Sequence, residues 1–95
     1  MKKAEIMFKL EENKDELKKF GVEKIGLFGS YLHGKAKKES DVDLLVTLNE
    51  KGIRTFIDLW IYLDNVLKKK VDLVIEKDLF PELNYVKGEA EYVEL

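Results

Sequence analysis

Cysteine is absent from the 95 residues, which excludes disulfides, thiolate nucleophiles and cysteine-based metal sites. Histidine occurs once, at His33, too few for an imidazole-rich zinc site. With a single proline, Pro81, and six glycines, the chain has no linker or low-complexity segment, and no internal repeat is visible. No apolar run approaches the length of a bilayer span, and the start, Met1-Lys2-Lys3-Ala4-Glu5-Ile6, is charged where a signal peptide would be apolar. The expectation is a cytoplasmic protein without membrane contact.

Neither sign of charge dominates. Seventeen Lys and Arg face 19 Asp and Glu, for a net charge of -2, so no global positive field gathers nucleic acid. Two lysine runs, Lys35-Lys37-Lys38 and Lys68-Lys69-Lys70, are local candidates, but such runs are ordinarily solvated loops or helix ends, and no direct nucleic-acid partner is expected. A hydrophobic fraction of 45% over this length supports one packed domain, residues 1–95, and leaves no room for a second.

Apolar residues at Ile6, Leu10, Leu17 and Phe20 recur at helical spacing and stop before Gly21, which predicts one amphipathic helix over 6–20. Lys24 to Phe28 reads as a strand ending at Gly29-Ser30, and Ser30 to Ala36 as a short helix. Val42 to Leu48 is a second strand, bounded by Ser40-Asp41 and Asn49-Glu50. Ile53 to Leu67 is a long helix with a wide apolar arc. Ile53, Phe56, Ile57, Trp60, Leu63 and Leu67 form its stripe, and Leu59, Tyr62 and Val66 lie to one side. Val71 to Ile75 is a third strand, Pro81 opens a short helix through about Tyr85, and Glu91 to Glu94 is a final edge strand. The order α-β-α-β-α-β predicts an α/β (α+β) fold, a small mixed sheet flanked by helices.

Chemistry concentrates in three places. A strand that turns into a helix at Gly29-Ser30 would expose backbone N–H groups and a hydroxyl to a phosphate. Taken alone, such a pair is more often only a turn with an N-cap serine. Asp41 and Asp43, at i and i+2 at the start of a strand, put two carboxylates on one face roughly 6–7 Å apart at the backbone, a spacing that suits a shared hard cation, magnesium or manganese. Alone, Asp41 could cap a turn and Asp43 could simply face solvent. Asp72 interrupts an otherwise apolar strand; beside Val42 to Leu48 it would come level with the pair, and three carboxylates could then hold two ions about 3.5–4 Å apart.

The stretch Gly29-Ser30, ten residues, then Asp41-Val42-Asp43, with Gly34 and Ser40 between, resembles the signature of the DNA polymerase beta-like nucleotidyltransferases. With Val71-Asp72-Leu73-Val74 and a Pro-containing C-terminal helix before Glu89-Ala90, the similarity covers nearly the whole chain, which looks like the minimal nucleotidyltransferases, or MNT proteins, encoded beside HEPN-domain proteins in prokaryotes. The resemblance implies that Gly29, Ser30 and His33 hold the phosphates of ATP, and that Asp41, Asp43 and Asp72 are the catalytic residues and bind two Mg2+. His33 departs from the arginine that many members carry there, and the alternative is a plain surface residue. The resemblance further implies transfer of AMP to a tyrosine of a HEPN ribonuclease toxin, with this chain as the antitoxin. The expected docking face is the helix around Leu59, Trp60, Tyr62 and Leu63. Two alternatives are a binder that neutralises by covering the toxin's site, and a free enzyme acting on a small molecule, for which a homo-oligomer could build the acceptor site.

Overall fold

The computed structural model describes residues 1–49 and 53–95 of the chain, Ile53 by its backbone alone. Glu50 as the boundary of a strand and the Ile53 side chain as part of the helical stripe therefore lie outside the described residues. Where one N-terminal helix was expected there are two, α1 (Lys3–Glu12) and α2 (Lys14–Lys19). Asn13 breaks them apart: its amide donates to the Lys9 carbonyl at 2.7 Å, and its Oδ1 accepts the Tyr62 hydroxyl at 2.7 Å. A short polar side chain that bonds its own helix's backbone competes with helix continuation. The bend brings Leu17, like Ile6 and Leu10, to full burial.

Four strands follow: β1 (Val22–Phe28), β2 (Val42–Leu48), β3 (Val71–Ile75) and β4 (Glu91–Val93), with α3 (Ile53–Leu67) crossing from β2 to β3 and α4 (Tyr85–Glu89) preceding β4. Their order across the sheet is β3-β2-β1-β4. β2 runs parallel to β3 and antiparallel to β1, and β4 closes the other edge antiparallel to β1. The mixed sheet and the edge strand at the C-terminal end agree with expectation. The helix expected over Ser30 to Ala36 is instead a run of turns from Ser30 to Gly34, so β1 and β2 are joined without a helical crossover and pair antiparallel. The short helix expected from Pro81 is a 3-10 turn, Pro81–Leu83, followed by α4.

Val42, Leu44, Val46 and Leu48 alternate along β2 and join Ile25, Leu27, Leu59, Leu63 and Leu67 in one buried cluster under the helices. Leu45 and Val86 are buried outside it, on the sheet's other face or beside it. On that face Gly26 makes room for a ring: a Cβ there would stand 2.7 Å from Cδ1 of Tyr92, its partner across β4. The Tyr92 hydroxyl donates to the Lys87 carbonyl at 3.1 Å and ties the end of α4 to the sheet.

The expected docking face on α3 is committed inward. Leu59 and Leu63 are buried, the Tyr62 hydroxyl is spent on Asn13, and Trp60 donates from Nε1 to the Val71 carbonyl at 2.6 Å. The large apolar side chains that α3 shows to solvent are Ile57 and Ile61. A half-buried tryptophan bonded to a buried strand residue and a solvent-facing isoleucine should respond differently to mutation. Trp60→Phe, which keeps a ring but orphans the carbonyl, should lower unfolding free energy by about 1–3 kcal/mol, whereas Ile61→Ser should stay within about 0.5 kcal/mol. Urea denaturation of the two variants measures both.

Candidate active site

At the end of β1 the chain must turn over the start of β2, and Gly29 does this at φ +76. That region strains any residue with a side chain, and the space is filled as well: a Cβ on Gly29 would run into the Asp43 carboxylate. The turn beyond is held by the His33 N–H donating to the Gly29 carbonyl (3.2 Å) and the Lys35 N–H donating to the Ser30 carbonyl (2.9 Å), and Gly34 at φ +70 ends it. A single turn carries little dipole, so what stands beside the Asp43 carboxylate here is a turn and not a helix terminus. Tyr31, which no periodicity singled out, is buried and anchors the turn in the core.

The parallel ladder places Asp43 opposite Asp72, with Val42 opposite Val71 and Leu44 opposite Leu73. Residues level on adjacent strands point to the same face about 4.8 Å apart at the backbone. The start of β3 is fixed from α3: the Asp64 carboxylate accepts the Val71 N–H at 2.8 Å while Trp60 occupies its carbonyl, and the Val42 N–H donates to the Lys70 carbonyl at 2.9 Å. Both polar groups of the residue before Asp72 are thus held by one helix. These positioning contacts were not legible in the sequence, where nothing local ties Asp64 to a strand seven residues on.

The electrostatics follow from this crowding. Burial, then Asp72, then Asp41 push the Asp43 carboxyl up from 3.8 to about 6. Asp72 is exposed and Asp41 half-buried. Among the described residues no three carboxylate or imidazole groups form a ready-made ion cage. Magnesium does not need one, since it keeps several waters and is ordinarily bound by one or two carboxylates together with substrate phosphates. Hard oxygen donors that repel one another, with no sulfur nearby, suit such an ion. The two lysine runs, 30 residues apart in sequence, meet beside this site: the Lys69 ammonium donates to the Lys38 carbonyl at 2.9 Å and stands 5.8 Å from the centre of the Tyr31 ring.

Next to the carboxylates a pocket of about 510 Å3 opens between the sheet and the segment 76–89. Gly29, His33 and Asp72 line one side, and Phe80, Leu83 and Tyr85 line the other. His33 stands at the rim with Nε2 3.3 Å from the Glu89 carboxylate, so the structure pairs it with an acid across the pocket.

The profile of the nucleotidyltransferase domain matches residues 10–93. The chain belongs to this family. A protein of Thermococcus cleftensis named protein adenylyltransferase MntA is 47% identical over 77 residues, covering 79% of this chain and 78% of the relative. A solved structure described as a candidate minimal nucleotidyltransferase superposes with a TM-score of 0.83 at 30% identity, over 96% of this chain and 95% of the other. A chain from the complex of a tri-AMPylated Shewanella oneidensis HEPN toxin with an MNT antitoxin is similar in fold, with a TM-score of 0.57 at 21% identity, covering 85% of this chain and 68% of that one.

The raised Asp43 carboxyl fixes the sign of a stability effect. Below about 3.8 both folded and unfolded states hold the proton; as pH rises through about 6 the folded state must carry a charge it disfavours, so stability falls. In the metal-free protein Asp43→Asn should therefore gain stability at pH 7.5, on the order of 1 kcal/mol once the full shift is discounted for solvent access, and gain nothing at pH 3.5. Gly29→Ala should lose roughly 1–3 kcal/mol at either pH. Chemical denaturation in the presence of a chelator, at the two pH values, checks all three signs.

Proposed function

We propose that this nucleotidyltransferase transfers AMP from ATP to a tyrosine hydroxyl of a HEPN-domain ribonuclease toxin encoded beside it, and neutralises that toxin in the cytoplasm. The observation that carries the reading is the meeting of the Gly29 turn with Asp43 and Asp72 at one end of the sheet. Support comes from the Thermococcus relative named a protein adenylyltransferase and from the fold shared with a chain of an AMPylated toxin–antitoxin complex.

The residues divide the work by chemistry. N–H groups of the Gly29-Ser30 turn and the Ser30 hydroxyl donate to the β- and γ-phosphates, and His33 contributes a donor once it leaves Glu89. Asp41, Asp43 and Asp72 would hold two Mg2+, which when bound supply charge neutralisation on the phosphates and lower the pKa of the attacking hydroxyl. Asp43 is the member of the set whose charged form the crowding disfavours, and a bound cation would relieve that. Asp72, exposed and level with Asp43, accepts the tyrosine proton. The tyrosine oxygen forms a bond to the α-phosphorus, the bond from that phosphorus to the bridging oxygen breaks, and pyrophosphate leaves. Gly29 contributes space as well as donors, since any side chain there would displace the Asp43 carboxylate.

Co-expression with the HEPN-domain protein encoded nearby, followed by intact-mass spectrometry, tests the reading. Whole AMP increments on a partner tyrosine are expected, reduced more than about a hundredfold by Asp41→Asn with Asp43→Asn. An unmodified partner in a stable complex, neutralised equally well by the double variant, would mean a binder instead.

A further inference from the structure

The pocket beside Asp72 has a chemical character that the transfer of a nucleotide does not by itself require. Its outer wall carries three large apolar side chains that turn towards solvent: Phe80 is 69% exposed, Tyr85 61% and Leu83 39%. Its rim is acidic. Asp72, Asp78 and Glu89 line it, and the one imidazole there already stands against Glu89. The whole segment 76–95 supplies six carboxylates against two lysines. Such a wall repels a second polyanion, and the Gly29 turn, proposed above to hold the triphosphate, lines the other side. Apolar side chains that remain exposed around a concave site mark a surface that a ligand covers.

We propose that this pocket is the acceptor site, and that it takes an aromatic hydroxyl side chain presented by a protein segment with arginine or lysine on its flanks. The inference rests on the adenylyltransferase reading and adds the residues that choose the acceptor. Phe80, Leu83 and Tyr85 cover the acceptor's apolar surface, and Asp78 and Glu89 pair with its flanking cations. A volume of about 510 Å3 lies within the range of sites that bury most of a bound group. Contact between the acceptor ring and the wall leaves its hydroxyl beside Asp72, the carboxylate that takes its proton. His33 is released from Glu89 when an acceptor cation replaces it, which frees the imidazole for the nucleotide side of the rim.

Three fluorescein-labelled peptides test this by anisotropy: tyrosine flanked by arginines, tyrosine flanked by glutamates, and phenylalanine flanked by arginines. The Arg-flanked peptides should bind at least about tenfold tighter than the Glu-flanked one. Phe80→Ala should weaken Arg-flanked binding by about tenfold. Asp78→Lys with Glu89→Lys should invert the preference, and Glu12→Lys, remote on α1, should leave it. Equal binding of all peptides, or an equal effect from Glu12→Lys, would overturn the inference. So would a Phe80→Ala variant that loses affinity for a magnesium complex of a non-hydrolysable ATP analogue and keeps the peptide, because the pocket would then belong to the nucleobase. With Mg-ATP, AMP should appear on the Arg-flanked tyrosine peptide. Binding as expected with no AMP on any tyrosine would sink the transferase reading and leave the surface inference standing.

Discussion

The pairing of β2 with β3 is the constraint on which the rest depends. A parallel pair cannot be joined by a tight turn, so its register must be set by the element that crosses over. Here α3 sets it. Trp60 and Asp64, four residues apart and therefore on one face of the helix, take the carbonyl and the N–H of Val71. One slip of that strand would send Asp72 into the core and Val71 or Leu73 to the site. The clamp on Val71 thus decides whether the two carboxylates meet, and it does so from the face of α3 opposite in role to any docking surface.

What the register brings together is costly to hold. Asp43 sits between the Gly29 turn, which leaves its carboxylate just enough space, and two further carboxylates that raise its affinity for a proton. Local propensity, packing and charge agree almost everywhere else in the chain: no buried polar side-chain atom among the described residues lacks a partner. Conflict at a carboxylate, in a fold whose one other local strain among the described residues is Lys68 at φ 54, is the usual mark of a functional site.

Much of this was legible beforehand. Val42–Leu48, Ile53–Leu67 and Val71–Ile75 have the observed bounds because their apolar patterns run uninterrupted between polar stops. The errors have physical causes. The break at Asn13 shows in the sequence as the polar pair Asn13-Lys14, where a continuing stripe from Leu10 would need an apolar residue. After Gly29 the chain was too short, and Gly34 too close, for a helix to form. Trp60 looked surplus on a broad apolar arc because nothing local reveals that its N–H serves a strand eleven residues away. The order and spacing of Gly29, Ser30, Asp41, Asp43 and Asp72 were visible; the opposition of His33 to Glu89 was not, because 56 residues separate them and neither belongs to a periodic pattern.

The last 20 residues explain how so small a domain obtains a pocket at all. Tyr92 lies over Gly26 and bonds the Lys87 carbonyl, and the Glu76 carboxylate accepts the Thr47 hydroxyl at 2.7 Å. Both ends of the segment between them are therefore pinned to the face of the sheet that the helices leave open. A chain fixed at two points and too irregular to lie flat must arch, and the arch is the wall that carries Phe80, Leu83 and Tyr85. Its apolar side chains face outward because the sheet beneath offers only Leu45, Phe28 and Val74 to cover, which is too little surface to bury them all. The polarity of the site follows: donors and carboxylates on the sheet side and an apolar, acidic wall across from them, two surfaces of unlike chemistry facing one reacting position.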